Sequence, residues 1–155
     1  MSKREQFGVK ALIDNGGEFL FLRRPYPIHG EIAPGWDIPG GRVKTDEVTK
    51  VRENYVTAIH RETYEETGII DLGTLRVAGS QTFTIDDLTV SRMYFTGRYN
   101  HDERIVLNPK EHTDYFWTTM EHALGSLPLN AMLREFLEAY SGGVGGVPTR
   151  SQITL

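Results

Sequence analysis

The chain is predicted to adopt an α+β layered fold in a single domain, and three observations carry that expectation. Strand-like apolar runs flank a hairpin signal, Asp14-Asn15-Gly16-Gly17, near the start. A helical segment stops at Thr67, with Gly68 as a plausible helix stop. A second helical segment, Asn130 to Tyr140, sets Leu133, Phe136, Leu137 and Tyr140 on one apolar face. The order is strands, one helix, strands and another helix, which argues against a regular βαβ repeat.

Phe7 to Ile13 and Phe19 to Leu22 read as the strands of the opening hairpin. A loop rich in proline and glycine follows from Arg24 to Pro34. Trp36-Asp37-Ile38-Pro39-Gly40-Gly41 is a short extended piece ending in two glycines. Two starts are open for the helix after it. Asn54 can cap it, or it begins at Thr45-Asp46 with Val48, Val51, Tyr55 and Ile59 turned inward. Leu75 to Phe83 and Leu88 to Tyr99 are further strands with Asp86-Asp87 in the turn. Asn100 to Pro109 is a polar loop, Tyr115 to Thr118 a short strand, and Met120 to Leu124 a helical turn. From Ser141 the run Ser-Gly-Gly-Val-Gly-Gly-Val-Pro predicts a flexible tail. The domain is therefore expected at residues 1–140 and the tail at 141–155.

A chain of 155 residues suits one domain with a real core. Its 25% charged and 39% hydrophobic residues are ordinary for a soluble globular protein. A net charge of −4 offers no coat for nucleic acid and no attraction to an anionic membrane, so neither partner is expected. An acidic protein that handles phosphates needs a cation to bridge the like charges. The absence of cysteine excludes disulfides, thiolate zinc sites and cysteine nucleophiles, and fits a reducing cytoplasm as the expected location. Met1 to Gln6 lacks the apolar stretch of a signal peptide, and the apolar runs are too short to span a bilayer.

The chemistry concentrates in Arg61-Glu62-Thr63-Tyr64-Glu65-Glu66-Thr67-Gly68. Glu62, Glu65 and Glu66 stand at i, i+3 and i+4 and share one helix face. Three like charges repel unless something positive sits between them. Magnesium answers that need, because it takes oxygen ligands, retains waters and binds through a few carboxylates plus substrate phosphates. Arg61, four residues before Glu65, could pair with it. By spacing alone a solvated glutamate face is the commoner outcome. Gly40-Gly41 upstream, where the backbone can approach a ligand, and Gly68 directly after the cluster reverse that order.

Pro39-Gly40-Gly41, followed by Arg61 to Ile69, resembles the box of the Nudix hydrolase family, G-x5-E-x7-R-E-U-x-E-E-x-G-U with U a large aliphatic residue. The second half matches at Arg61, Glu62, Glu65, Glu66, Gly68 and Ile69. The wider resemblance runs from Phe7 to Tyr140 and takes in Arg23-Arg24, Trp36-Asp37-Ile38-Pro39 and Glu111-His112-Thr113-Asp114-Tyr115-Phe116-Trp117. Two departures stand out. Thr63 occupies a U position, where its methyl can still be buried. Gly41 and Glu47 keep the first spacing, but thirteen residues then separate Glu47 from Arg61. Glu53 keeps the second spacing and leaves the glycine too far back. Glu53 is favoured, because its register to Glu62 and Glu65 is preserved, and Glu47 stays open.

The resemblance implies an α/β/α sandwich, its mixed sheet carrying the box helix on one side and the C-terminal helix on the other. It implies that Glu62, Glu65 and Glu66 bind one or more magnesium ions, with manganese as an alternative and the Gly41 carbonyl as a further ligand. Glu62 would also orient or deprotonate the attacking water, and Arg61 would position a carboxylate. Glu111 is a second-tier metal ligand or base, balanced against a plain surface role, and His112 is weaker still. Arg23 is expected to meet a phosphate and Trp36 to stack on a base, each against the commoner alternative of an exposed strand end or a packing role. Tyr26 and Phe83 are stacking candidates of the same kind. His29, His60, His101 and His122 lack the spacing of a zinc site.

The implied reaction is water attack on one phosphorus of a nucleoside diphosphate linked to another moiety. A nucleoside triphosphate, as in MutT-type triphosphatases, is the first expectation. ADP-ribose or another nucleoside diphosphate sugar is the alternative within the same chemistry. A non-catalytic nucleotide-binding sensor is the alternative outside it, weakened because all three box glutamates are present. Isopentenyl diphosphate isomerases and NADH-type members look to need cysteines that this chain lacks, and an mRNA decapping role would want a basic RNA path. The expected partner is a small nucleotide, with a homodimer left open.

Overall fold

The computed structural model describes residues 4–28 and 31–142. Its elements are β1 (Arg4–Asn15), β2 (Glu18–Arg23), β3 (Trp36–Asp37), β4 (Gly40–Arg42), α1 (Tyr55–Thr67), β5 (Arg76–Ile85), β6 (Leu88–Arg98), β7 (Asp114–Thr118), α2 (Met120–Ser126) and α3 (Ala131–Gly142). The strands form one mixed sheet around β1. β1 runs parallel to β6 from Arg4 to Asp14 and antiparallel to β4 at Gly8 to Lys10. It pairs with β2 only at Asp14 and Asn15. The two hairpin strands thus part soon after their turn, and residues 36–42 fill the opening, β3 on β2 and β4 on β1.

Strand pleating sorts the core into two layers. Val9, Ala11, Ile13, Leu20 and Leu22 pack with Ala58 and Ile59 of α1 and with Ile69 and Leu72 beyond it. Leu12, Phe21 and Tyr94 face the other way, against Ala123 of α2 and Leu133, Phe136 and Leu137 of α3. Tyr94 stacks on Phe136 there, with ring centroids 3.6 Å apart. Between Gly8 and Ile13, β1 is buried on both faces and reads as a nearly continuous apolar run, and the one charge within that stretch, Lys10, matters below. The result is the α/β/α sandwich that the resemblance implies.

The local signals behave as their chemistry dictates. Asp14 Oδ1 accepts from Gly17 N at 2.7 Å in the hairpin turn. Asn54 Oδ1 caps α1 by accepting from Thr57 N at 2.7 Å, and Gly68 ends that helix at φ 78°. The earlier helix start at Thr45-Asp46 does not occur. Residues 44–53 double back instead. Glu53 N donates to Lys44 O at 2.8 Å, and Thr45 bridges to Arg52. Asp46 Oδ1 takes the N–H groups of Val48 and Thr49, and Lys50 adopts φ 60°. That side-chain capture offers the backbone a turn in place of a helix. Val48 and Val51 are consequently 90% and 64% exposed rather than turned inward. α3 runs two residues past Tyr140, to Gly142, and the rest of the expected tail lies outside the described residues. No described helix is long and apolar enough to cross a membrane.

Candidate active site

Arg61 organises the acidic face of α1. Its Nε and Nη2 each lie 2.9 Å from a carboxylate oxygen of Glu53, a bidentate pairing. Nη2 also donates to Arg42 O at 2.9 Å, which ties α1 to β4. Nη1 reaches Glu62 Oε1 at 3.0 Å and Glu65 at 3.2 Å. One guanidinium thus serves three carboxylates, and they hold it above its ordinary pKa range, Glu53 most of all. Glu53, not Glu47, fills the open position. Glu47 is exposed in the turn of the inserted loop, whereas the loop's closure returns Glu53 to Arg61.

The glycines do two different things. A Cβ on Gly41 would lie 2.5 Å from Glu62 Cδ, so the missing side chain is the space that the Glu62 carboxylate occupies. A Cβ on Gly40, at φ 150°, would lie 2.0 Å from Val9 O, so that glycine is required by the sheet itself. Gly40 N donates to Glu66 Oε1 at 2.8 Å.

Glu66 is buried, with its side chain 8% exposed. Burial pushes its carboxyl well above the usual range; Lys10 and the Gly40 N–H pull it back, while Glu62 and Asp37 push it further up. Glu62 is also raised, first by burial, with Glu65 and Glu111 adding to the shift against the pull of Arg61. His112 lies under Glu66, its Nδ1 3.9 Å from Glu66 Oε2. Burial lowers its pKa to about 4, and Nδ1 is buried without a hydrogen-bond partner.

A second ionic cluster stands behind this face. Lys10 Nζ donates to Asp37 Oδ2 at 2.9 Å, and Arg24 approaches the same oxygen at 3.5 Å while also pairing with Glu31. Burial raises Asp37, but Lys10, Arg92 and Arg24 outweigh it and hold the carboxyl below its usual range. Asp37 also lines a cavity of about 240 Å³ with Gln6, Phe83, Arg92, Asn130 and Leu133. Within it Arg92 lies 5.1 Å from the Phe83 ring centroid and donates to Tyr94 OH at 3.2 Å. Asn130 spends its carbonyl oxygen on the N–H groups of Met132 and Leu133, leaving its NH2 available.

The structure brings Arg61, Glu62, Glu65, Glu66 and Gly41 together. Glu111 is exposed and hydrogen-bonded by Asn108, yet close enough for its charge to raise Glu62. Arg23 is an exposed strand-end residue with no ion pair among the described residues, and the buried arginine is its neighbour Arg24. Trp36 packs into the α2–α3 core layer, its ring 5.9 Å from Phe116. Sequence reasoning passed over Lys10, Arg24 and Asp37 as site residues and ranked His112 low. A charge inside the buried strand Val9-Lys10-Ala11-Leu12 was the available signal.

The donors suit a hard divalent cation. They are carboxylates, of which Glu62 and Glu66 are raised first by burial and then by neighbouring carboxylates, and the Glu62 carboxylate lies directly over Gly41. Among the described residues no three His, Asp or Glu side chains are grouped as a metal site. The fit rests on donor chemistry: carboxylate oxygens are what magnesium takes, together with waters and substrate oxygens.

The sequence profile of the NUDIX domain matches residues 3–140. A MutT protein from Methanosarcina mazei Go1 has a solved structure that is 35% identical, with 89% of this chain and 94% of that one covered at a TM-score of 0.72. The E. coli ORF135 protein is 25% identical over 90% of each chain, also at 0.72. A MutT NUDIX hydrolase from Burkholderia pseudomallei, 21% identical over 88% and 98%, shares the fold at 0.71. No curated protein matches the sequence. The chain belongs to the NUDIX family and is a hydrolase of phosphoric anhydride bonds in nucleoside diphosphate derivatives, a chemistry that in this family generally needs a divalent metal.

Proposed function

From that membership we propose that the chain is a magnesium-dependent pyrophosphohydrolase of nucleoside triphosphates. The observation that carries the reading is the charge imbalance on α1, where Glu62 and Glu66 are held above their usual range with Arg61 alone paired among them. Magnesium, with manganese as an alternative, would be held by Glu62, Glu65, Glu66 and the Gly41 carbonyl. When bound it neutralises the diphosphate and lowers the pKa of a coordinated water. The protein's own groups do the rest. Arg61 fixes Glu62 and Glu65 against Glu53. Glu62, made more basic by burial, orients the attacking water and takes its proton, with Glu111 beside it as the second base. Water oxygen joins one phosphorus, the bridging P–O bond breaks, and pyrophosphate leaves from the nucleoside monophosphate.

The cavity at Phe83, Arg92 and Asn130 would take the nucleoside end. It offers an aromatic ring, a guanidinium and an unspent amide, and Asp37 ties it electrostatically to Glu66. In this reading Phe83, rather than Trp36, is the ring that stacks on the base, and Arg92 meets the nucleoside rather than taking the phosphate role expected of Arg23. The likeness to a MutT protein from Methanosarcina mazei is in keeping with the MutT type expected from the sequence.

The deciding experiment is a substrate panel with magnesium, resolved by product. Pyrophosphate plus nucleoside monophosphate from triphosphates is the expected result. Turnover confined to ADP-ribose, giving two monophosphates, would move the substrate class. Binding without turnover of any compound would make the chain a sensor.

A further inference from the structure

We propose that His112 is a positioning residue for Glu66, donating a hydrogen bond from Nδ1–H to Glu66 Oε2 when that carboxylate carries its working charge. The inference rests on the proposed role of Glu66 in cation binding. Glu66 has two oxygens, and among the described residues only Oε1 is hydrogen-bonded, accepting from Gly40 N at 2.8 Å. A carboxylate gripped at one oxygen still swivels, and a ligand that swivels sets no geometry. The imidazole is the group placed to stop it. His112 is 6% exposed, and its Nδ1 is buried without a partner, 3.9 Å from Oε2. A buried polar atom left without its hydrogen bond costs stability, so a retained orphan asks for a use. In free enzymes such contacts stand long and tighten when the site is loaded.

The surroundings hold the residue in place. His112 N donates to Asn108 O at 2.9 Å, and Asn108 N reaches Glu66 O at 3.4 Å. The residue is thereby tethered to the backbone of the residue it orients. The groups that act on the ring are Asp37, Lys10 and Arg24, the cluster behind the carboxylate face. With Nδ1 facing a carboxylate, the neutral ring keeps its proton on that nitrogen and leaves Nε2 bare.

Three measurements test this on the full chain. Nitrogen-15 NMR of the wild-type protein saturated with magnesium, where Glu66 carries its charge, should find the Nδ1–H tautomer at His112; the Nε2–H tautomer there overturns the proposal. Manganese binding without nucleotide, followed by electron paramagnetic resonance, should weaken on the order of 10- to 100-fold in His112→Leu and by only a few fold in His112→Asn, whose amide N–H can stand in for Nδ1–H. In turnover, His112→Leu should lower kcat and raise the magnesium half-saturation with little change in nucleotide KM. Wild-type values for His112→Leu, or equal losses in both variants with melting temperatures unchanged, overturn it. Should His112→Leu not fold, the tautomer and His112→Asn decide. If the wild-type protein turns over no nucleotide, the catalytic reading falls, and the tautomer with manganese binding still judges the role of His112.

Discussion

Two groups of buried charges lie back to back in this molecule, and they are balanced differently. In the cluster of Lys10, Arg24, Glu31 and Asp37, every carboxylate meets a cation, and Glu31 and Asp37 are both held below their usual range. At the face of α1, Glu53, Glu62 and Glu65 share Arg61 while Glu66 stands beside them, and Glu62 and Glu66 are held above their usual range. The first arrangement is complete within the protein. The second is short of positive charge, and it is the second to which the proposed function assigns a cation and a substrate. Burial alone does not separate structure from function here; the local charge sum does.

The strongest way to break this contrast is Glu66→Gln. Activity should fall on the order of 100-fold or more, since several kcal/mol of transition-state stabilisation are removed. The metal-free protein should nevertheless melt higher. Its folded carboxyl is raised, so the ionised form costs stability at neutral pH, and that cost fades as pH falls. A lower melting temperature in chelator would show that Glu66 is part of the scaffold. Asp37→Asn should do the reverse. Its folded carboxyl is depressed, so its contribution is present at neutral pH, and removing it should cost about 2–3 kcal/mol in denaturant unfolding. An unchanged midpoint would mean that Lys10 and Arg24 gain nothing from it.

Acid titration sharpens the same point at the boundary between the clusters. His112 is neutral in the fold, with a pKa of about 4 against 6.5 for a free histidine, so stability should be lost as pH falls from 6.5 toward 4. Following unfolding in a Glu66→Gln background removes the opposite contribution of Glu66, and His112→Asn should flatten the remaining slope. Glu53→Gln should lower activity about tenfold by loosening Arg61, and Glu47→Gln should leave it at the parent value. Equal effects in a kinetic assay would undo the assignment of Glu53. The smallest effect is expected at Thr63, whose hydroxyl is buried without a partner. Thr63→Val should stabilise by about 1 kcal/mol in thermal unfolding.

The legible parts of the chain were those whose cause is local. Asp14 to Gly17 declares a turn, Asn54 and Gly68 declare helix ends, and Glu62, Glu65 and Glu66 declare a face. The choice between Glu47 and Glu53 was not legible, because counting along the chain fails where the chain doubles back on the Asp46 turn. The partnership of Lys10, Asp37 and Arg24 was hidden for a related reason. It depends on β1 and β2 parting after two residue pairs, so that residues 36–42 enter between them. From the sequence, Arg23 and Arg24 are indistinguishable neighbours. Strand pleating exposes one and buries the other.

The closure of the 44–53 loop has one more consequence, for how such a protein can change. Lys44 and Glu53 meet at the loop's base, so the distance from Gly41 to Arg61 does not depend on how much chain passes between them. Lengthening or trimming this segment beyond its closed base should therefore leave the acidic face in place. For the same reason the exposed turn at Glu47 to Thr49 is a splice point, where a reporter or a whole domain can be grafted with the catalytic geometry left alone.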